Sequence, residues 1–426
     1  MGDTIVALSS GPPPAAIGVI RLSGPQAIAA ATAIAGSLPE LRRAGLRALR
    51  HDGRLIDRAL TLVFPGPDSA TGEDLVEFHV HGGLAVVRAV ENALLAQMGV
   101  VRAEPGAFTR RALFNGRLDL AQVEALGDLL AAQTDAQART AILGTEGLLR
   151  RNIDALQGEL LMAAADVELA LDFADEDDGG AFDRDALQSR LHALENRMRS
   201  WLGRPCVEIL NRGFRVVLAG RPNAGKSTLL NAMAGRDAAI VSPIAGTTRD
   251  RIEVSVAHGG IPFVLTDTAG LVSASDDPIE MIGVERARDA MAQADVLLWL
   301  EDSAPLPRAD AIRVAAQLDR PDRATPPAGA ISVSGLTGEG LERLWSIVHA
   351  QIAGRLPPED GSALNERQHA LLSRAMGAVV AARDEQELLL LAEQLRAARY
   401  ALDQITGAAG TEAMLDQLFG RFCIGK

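Results

Sequence analysis

Arg215-Val216-Val217-Leu218-Ala219-Gly220-Arg221-Pro222-Asn223-Ala224-Gly225-Lys226-Ser227-Thr228-Leu229-Leu230-Asn231-Ala232-Met233 carries three signals in order. Residues 215–219 read as an apolar strand. Gly220 to Ser227 is a complete G-x-x-x-x-G-K-S loop, and residues 228–233 read as the start of a helix. A glycine loop between a strand and a helix is a phosphate-binding device. Its glycines let backbone N–H groups wrap phosphate oxygens, and the helix N-terminus adds positive field. Lys226 is placed to reach the β and γ phosphates, and Ser227 to put its hydroxyl on Mg²⁺. Asn223, Ala224, Gly225 and Thr228 complete the expected cradle. Read alone, Asn223 is as well explained by a turn residue bonding its own backbone.

Downstream, Val264-Leu265-Thr266 ends in Asp267-Thr268-Ala269-Gly270. An acid at the end of a neighbouring strand can hold Mg²⁺ through water, and Gly270 lets a backbone N–H approach the γ phosphate. Between the two motifs lies Gly246-Thr247-Thr248-Arg249-Asp250, where Thr248 is the first choice for a second hydroxyl on Mg²⁺ and Thr247 the second. Such segments order around a γ phosphate and loosen after hydrolysis. Where guanine-binding proteins carry N-K-x-D, this chain has Ala316-Gln317-Leu318-Asp319, so the acid alone is kept. Its carboxylate can read the paired N–H donors of guanine, which adenine lacks. The missing asparagine and lysine predict a weaker grip. Ser334-Gly335, within Ile331-Ser332-Val333-Ser334-Gly335, resembles the loop that covers the base.

Outward from this centre the texture changes twice. Up to residue 118, strand-like runs at 4–8, 16–22, 59–64 and 75–79 alternate with Gly/Pro turns, and 83–98 has helical spacing, which predicts an α+β domain. From 119 to 171 the spacing is helical without proline. A further helical run covers 183–201, closed by Pro205. After the strand–loop–helix alternation of 214–353, helical texture returns at 365, with runs at 385–405 and 411–422. One helical domain interrupted by an α/β insert, or two helical domains in series, would both give this pattern.

The 426 residues suggest about three domains. Aromatic residues are only 3% of the chain, so its cores must be built from Leu, Val, Ile and Ala, a composition that favours helices. A net charge of -13 argues against a long basic groove for nucleic acid, though a local patch or a basic partner could supply the positive field. Cys206 and Cys423 form no disulfide framework. The N-terminus has no secretion-signal pattern, and no apolar run approaches the roughly 20 residues of a membrane span. A cytoplasmic location without integral membrane association is expected. His79 and His81 share a strand face, but without a third ligand they read as ordinary hydrogen-bonded histidines rather than a metal pair.

Motifs at both ends and the centre, in order, are similar to those of the MnmE (TrmE) family. They are Asp3-Thr4-Ile5-Val6-Ala7, Ile17-Gly18-Val19-Ile20-Arg21-Leu22-Ser23-Gly24, Glu73-Asp74-Leu75-Val76-Glu77-Phe78-His79-Val80-His81-Gly82-Gly83 and Phe114-Asn115-Gly116-Arg117-Leu118-Asp119-Leu120. The closing Phe422-Cys423-Ile424-Gly425-Lys426 completes the set. This chain has Pro105-Gly106-Ala107-Phe108-Thr109 where the family usually has P-G-E-F-T. The resemblance implies a multidomain α+β and α/β architecture. Residues 1–118 would be a tetrahydrofolate-binding and dimerisation domain, 119–212 and 356–426 the two segments of one helical domain, and 213–355 an inserted Ras-like P-loop GTPase domain. It thereby selects the insertion over the serial arrangement.

The same resemblance implies a homodimer that works with an FAD-containing MnmG (GidA)-type flavoprotein in a heterotetramer or larger complex. Together they would place an aminomethyl or carboxymethylaminomethyl group on C5 of the wobble uridine, U34, of certain tRNAs. The one-carbon unit would come from 5,10-methylenetetrahydrofolate, with FAD and NADH on the partner's side. GTP hydrolysis would use Mg²⁺ and K⁺. Asn223, with Ser242, Ile244 and Thr247, falls at the K⁺ site, and Glu280 at the position that orients the attacking water. Arg21, Arg117 and Glu73 are the expected folate contacts, arginines suiting the carboxylated tail and carboxylates the pterin edge. Cys423 is named with the modification centre; its other reading is a small buried hydrophobe beside Phe422. The alternative function is a GTP-driven assembly or binding switch of the ribosome-maturation type, without folate chemistry.

Overall fold

The computed structural model describes residues 3–172, 182–235, 253–268, 278–302, 304–321, 325–358, 360, 363–407, 419, 422 and 425, without the side chains of 278–285. The chain forms two compact units, each assembled from separated segments. One comprises Met1–Gly127, Thr145–Ala155 and Tyr400–Lys426; the other comprises Asp128–Gly144 and Leu156–Arg399.

In the first unit, β1 (Thr4–Leu8), β2 (Ile17–Ser23), α1 (Ala27–Ala35), β3 (Gly45–His51), β4 (Arg54–Phe64), β5 (Leu75–His81), α2 (Leu84–Leu95), β6 (Val100–Arg102) and α3 (Ala107–Phe114) follow in order. Among the described residues the sheet order is β3-β4-β5-β2-β1-β6, antiparallel except for β1 with β6. Period-two alternation sorts the side chains onto two faces. Val6, Ile20, Leu22, Val76 and Phe78 bury one face under Ile34 of α1 and Val87, Val90 and Leu94 of α2. Ile5 and Ala7, on the other face of β1, pack with Ala103 and with Phe108 of α3. Leu120 and Val123, at the start of α4 (Leu120–Ala131), form a separate cluster with Phe419 and Phe422. A Cβ placed on Gly425 would come within 2.1 Å of the Leu8 carbonyl oxygen, so Gly425 lies against the end of β1 with no room for a side chain.

The 119–171 stretch resolves into three helices, α4, α5 (Asp135–Thr145) and α6 (Leu148–Asp172). Gly147, at φ 72°, marks the second break, and Thr134 the first, where its hydroxyl accepts from the Gln137 N–H. The second unit continues with α7 (Arg184–Leu202), α8 (Glu208–Arg212), β7 (Phe214–Ala219), α9 (Lys226–Gly235), β8 (Glu253–His258), β9 (Ile261–Asp267), α10 (Pro278–Gln293), β10 (Val296–Trp299), β11 (Ile312–Ala315), β12 (Ile331–Ser332), α11 (Leu341–Ile352), α12 (Glu366–Asp384) and the first part of α13 (Leu388–Thr406), whose residues from Tyr400 on belong to the first unit. Among the described residues its sheet order is β12-β11-β10-β7-β9-β8, parallel except for the β8–β9 hairpin. The chain goes from β7 to one side for β8 and β9, then returns to the other for β10. The crevice at the C-terminal end of β7 is therefore the switch point where ligands bind in open α/β sheets. Helix α7 packs along α12, and Arg383 of α12 and Arg199 both pair with the buried Glu195 of α7. Asn365 and Gln368 form a reciprocal capping box that starts α12. No helix among the described residues is long and apolar enough to cross a membrane.

Candidate nucleotide site and N-terminal cavity

The phosphate loop leaves β7 through Gly220, at φ 144°, where a Cβ would lie 2.6 Å from the Leu300 carbonyl oxygen of the adjoining chain. Only glycine fits such an approach. Asn223 and Gly225 also take positive φ, 59° and 90°, which curls the loop before α9 begins. Lys226 is 4% exposed, and its ammonium donates to the carbonyls of Gly220 (3.0 Å) and Arg221 (2.9 Å). Burial lowers its pKa, and the nearby Asp267 carboxylate acts in the opposite sense. At the mouth of the loop the Ser227 hydroxyl donates to Oδ2 of Asp267. One hydroxyl and one carboxylate meeting beside a phosphate cradle are the hard oxygen donors that Mg²⁺ takes together with substrate phosphates, so the residues fit that ion. Thr268 turns inward, its hydroxyl donating to the Leu218 carbonyl at 3.0 Å, and so serves the β7–β9 junction in this structure.

On the base side, Asp319 and Ser334 are joined. The Ser334 hydroxyl, fully buried, donates to Asp319 Oδ1 at 2.5 Å and accepts from the N–H groups of Leu336 and Thr337. Gly335 sits on the first turn of α9, where a Cβ would be 3.0 Å from the Thr228 backbone. Ala316 and Gln317 replace the expected bracing pair, yet both lie against the phosphate loop. A Cβ on Gly225 would be 3.2 Å from Gln317 Cγ and 3.6 Å from Ala316 Cβ, and the Gln317 amide donates to the Asn223 carbonyl at 3.1 Å. The Gln317 side chain thus reaches the phosphate loop from the position where guanine-binding proteins carry the lysine of N-K-x-D.

In the first unit, Arg21 and Arg117 line one cavity of about 340 Å³ with Thr71, Phe108, Thr109 and Leu126. Arg21 faces Glu77 directly across β2–β5 and donates to Oε1 of Glu77 through Nε (2.9 Å) and Nη2 (2.8 Å). Its guanidinium lies 5.7 Å from the centre of the Phe108 ring. Glu73 is not among the lining residues; it accepts from Arg111 (2.6 Å) and Ser23 (3.0 Å). Glu77, Phe108 and Gln317 are the contributors that sequence motifs alone did not single out. Glu77 could be found only by knowing the β2–β5 register. His79 bonds to Glu77 and His81 to Asp57. Ser242, Ile244, Thr247, Thr248, Ala269, Gly270 and Cys423 lie outside the described residues; Glu280 lies on α10 without a described side chain.

The chain matches two family models, described as the GTP-binding protein TrmE N-terminus, over residues 4–117, and the MnmE helical domain, over residues 120–423. The chain belongs to the MnmE family. Within that family it is similar to the tRNA modification GTPase MnmE of Erythrobacter litoralis, 51% identical over 425 residues with each chain covered completely. It is also 52% identical over 428 residues to the MnmE of Rhizorhabdus wittichii, covering 100% of this chain and 97% of that one. The MnmE of Novosphingobium aromaticivorans is 49% identical over 437 residues, with both chains covered completely. The MnmE helical model spans the whole stretch that contains β7 to β12, so the nucleotide site lies inside the region it matches.

Proposed function

We propose that this chain is a tRNA modification GTPase: it hydrolyses GTP and, with an FAD-containing MnmG-type flavoprotein, installs an aminomethyl or carboxymethylaminomethyl group on C5 of U34. The observation that carries this reading is the convergence of Lys226, Ser227 and Asp267 at the end of β7, in a chain similar to MnmE proteins along its full length. Residues 1–118 are assigned to folate binding and dimerisation, 119–212 with 356–426 to the helical domain, and 213–355 to the G domain.

Each residue then has a task. The backbone N–H groups of Asn223 to Thr228 hold the phosphates, and Lys226 leaves its loop carbonyls for the β and γ oxygens. Ser227 and Asp267, with Thr248, would hold Mg²⁺; Asn223, with Ser242, Ile244 and Thr247, would hold K⁺. When bound, these ions offset the charge that builds at the β–γ bridge. Thr268 holds the end of β9 against β7 through its hydroxyl while Ala269 and Gly270 approach the γ phosphate, Glu280 orients the attacking water, and Asp319 with Ser334 and Gly335 reads the base. Arg21 and Arg117 are assigned to the folate carboxylates, Glu73 to the pterin side, and Cys423 to the modification centre.

The test uses the full chain with its flavoprotein, FAD, NADH, methylenetetrahydrofolate, GTP and unmodified tRNA, and reads U34 by mass spectrometry. A mass gain at U34 that disappears in Arg117→Ala, together with loss of bound tetrahydrofolate, is expected. GTP hydrolysis with no change at U34 and no folate retention would instead favour an assembly switch.

A further inference from the structure

We propose that Gln317 is a positioning residue that clamps the phosphate loop, so that Ala316-Gln317-Leu318-Asp319 is a rebuilt nucleotide element rather than a weakened one. The inference rests on the nucleotide site described above and deepens it. Four observations carry it. Gln317 Nε2 donates to the Asn223 carbonyl, 94 positions away in sequence, at 3.1 Å. Arg320 Nη1 donates to Gln317 Oε1 at 3.3 Å, which fixes the side-chain amide with its N–H toward the loop. Gln317 holds left-handed backbone, φ 61°, a conformation that costs such a residue free energy and persists where the surroundings impose it, opposite Asn223, φ 59°, whose residue type tolerates it. Finally, Gly225 has no Cβ where one would press on Gln317 Cγ at 3.2 Å and Nε2 at 3.3 Å, so the glycine of the phosphate loop is the floor on which the glutamine lies.

The segment is also tied down on its other side. Leu318 N–H donates to the Val333 carbonyl at 3.1 Å, and Ser334 holds Asp319. The base-reading acid and the phosphate-loop clamp therefore sit on one short segment, fixed at three successive residues. Labour divides between them: Asp319 selects the base, whereas Gln317 keeps the Asn223–Gly225 curl closed around phosphate whatever the base is. A neutral amide does this through one hydrogen bond and the packing of its stem.

Gln317→Met keeps the stem and removes the donor, Gln317→Ala removes both, and Gln317→Lys restores a donor long enough to reach the same carbonyl. Dissociation of a fluorescent GDP analogue from the full chain in Mg²⁺ is the readout, with the preference for GDP over ADP and the melting temperature measured alongside. One lost hydrogen bond predicts about a 3–10-fold faster release from Gln317→Met. Gln317→Ala should be faster still and Gln317→Lys near the parent. The GDP preference and the melting temperature of the Met variant should be unchanged. Release at the parent rate from Gln317→Met overturns the proposal. So does a rate increase accompanied by loss of GDP preference, which would put Gln317 on the base, or by a lowered melting temperature, which would make it merely structural. Failure of the parent chain to bind GDP, with normal melting, would instead sink the nucleotide-site reading itself.

Discussion

Asp295 is expected to be the residue whose loss most directly loosens both ends of the 213–355 segment. It is buried just before β10, its side chain 4% exposed. Its carboxylate accepts from the Arg215 N–H at 2.8 Å, from Arg212 Nη2 at 3.1 Å and from Arg355 Nη2. Arg212 and Arg215 flank the point where the chain enters β7, and Arg355 follows α11, where it leaves. The two guanidinium groups are 45% and 44% exposed, so water replaces most of what they lose, about 0.2–1 kcal/mol each. The backbone N–H of Arg215, bonded to a charged and buried acceptor, contributes more, about 1.5–3 kcal/mol. Asp295→Ala should therefore cost about 2–4 kcal/mol, and Asp295→Asn, which keeps an acceptor for Arg215, about 1 kcal/mol. All three tryptophans, Trp201, Trp299 and Trp345, fall in the second unit, so intrinsic fluorescence in urea reports that unit. With a slope of about 3 kcal/mol per molar, the Ala variant should unfold about 1 M earlier. An Ala midpoint equal to the parent's, or an Asn variant as damaged as Ala, would refute this role for Asp295.

Two pH predictions follow from buried titratable groups. Burial raises the Asp119 carboxyl above its usual range; its Oδ1 caps α4 through the Gln122 N–H, and its Oδ2 has no hydrogen-bond partner among the described residues. A raised acid stabilises below its unfolded pKa and loses that contribution as pH rises through the folded value. Asp119→Asn should hence match the parent's melting temperature near pH 4 and exceed it at pH 7; a difference independent of pH would contradict this. Burial and the adjacent His258 lower the His349 pKa, and the two rings share a 2.8 Å hydrogen bond while His258 stacks on Trp345 at 4.1 Å. That depressed base contributes stability above the ordinary histidine value of 6.5 and loses it as pH falls through the folded value. Fluorescence-detected stability should drop below pH 6.5, and His349→Gln should flatten the drop; an equally steep fall in the variant would count against the pair.

Local chemistry made much of this molecule readable. Strand, loop and helix around Gly220 to Ser227 stand where the motif requires them, because the phosphate cradle needs those residues in consecutive order. β3 and β6 escaped notice for physical reasons. Gly45–His51 interleaves Arg47 and Arg50 with apolar residues at the sheet edge, and Val100–Arg102 is three residues long. The helical spacing of 119–171 is real, but periodicity does not mark its breaks, which depend on Thr134 capping and on the left-handed Gly147. Ser227 and Asp267 could be paired from their motifs, but pairings outside the motifs were not legible. Arg21 with Glu77 depends on strand register, and Gln317 with Asn223 on the meeting of two loops from different strands. The missing asparagine and lysine at 316 and 317 were legible, but the reach of Gln317 to the Asn223 carbonyl was not, because sequence shows which side chain is replaced and not where its replacement points.

In the proposed mechanism the nucleotide site selects and hydrolyses GTP through Asp319 and an ion held at Asn223. Hydrolysis of GTP and ATP by the full chain, in K⁺ and again in Na⁺ at equal ionic strength, tests it most directly. Turnover of GTP over ATP, fast in K⁺ and slow in Na⁺, is predicted. Equal use of both nucleotides, or rates indifferent to the cation, would contradict it.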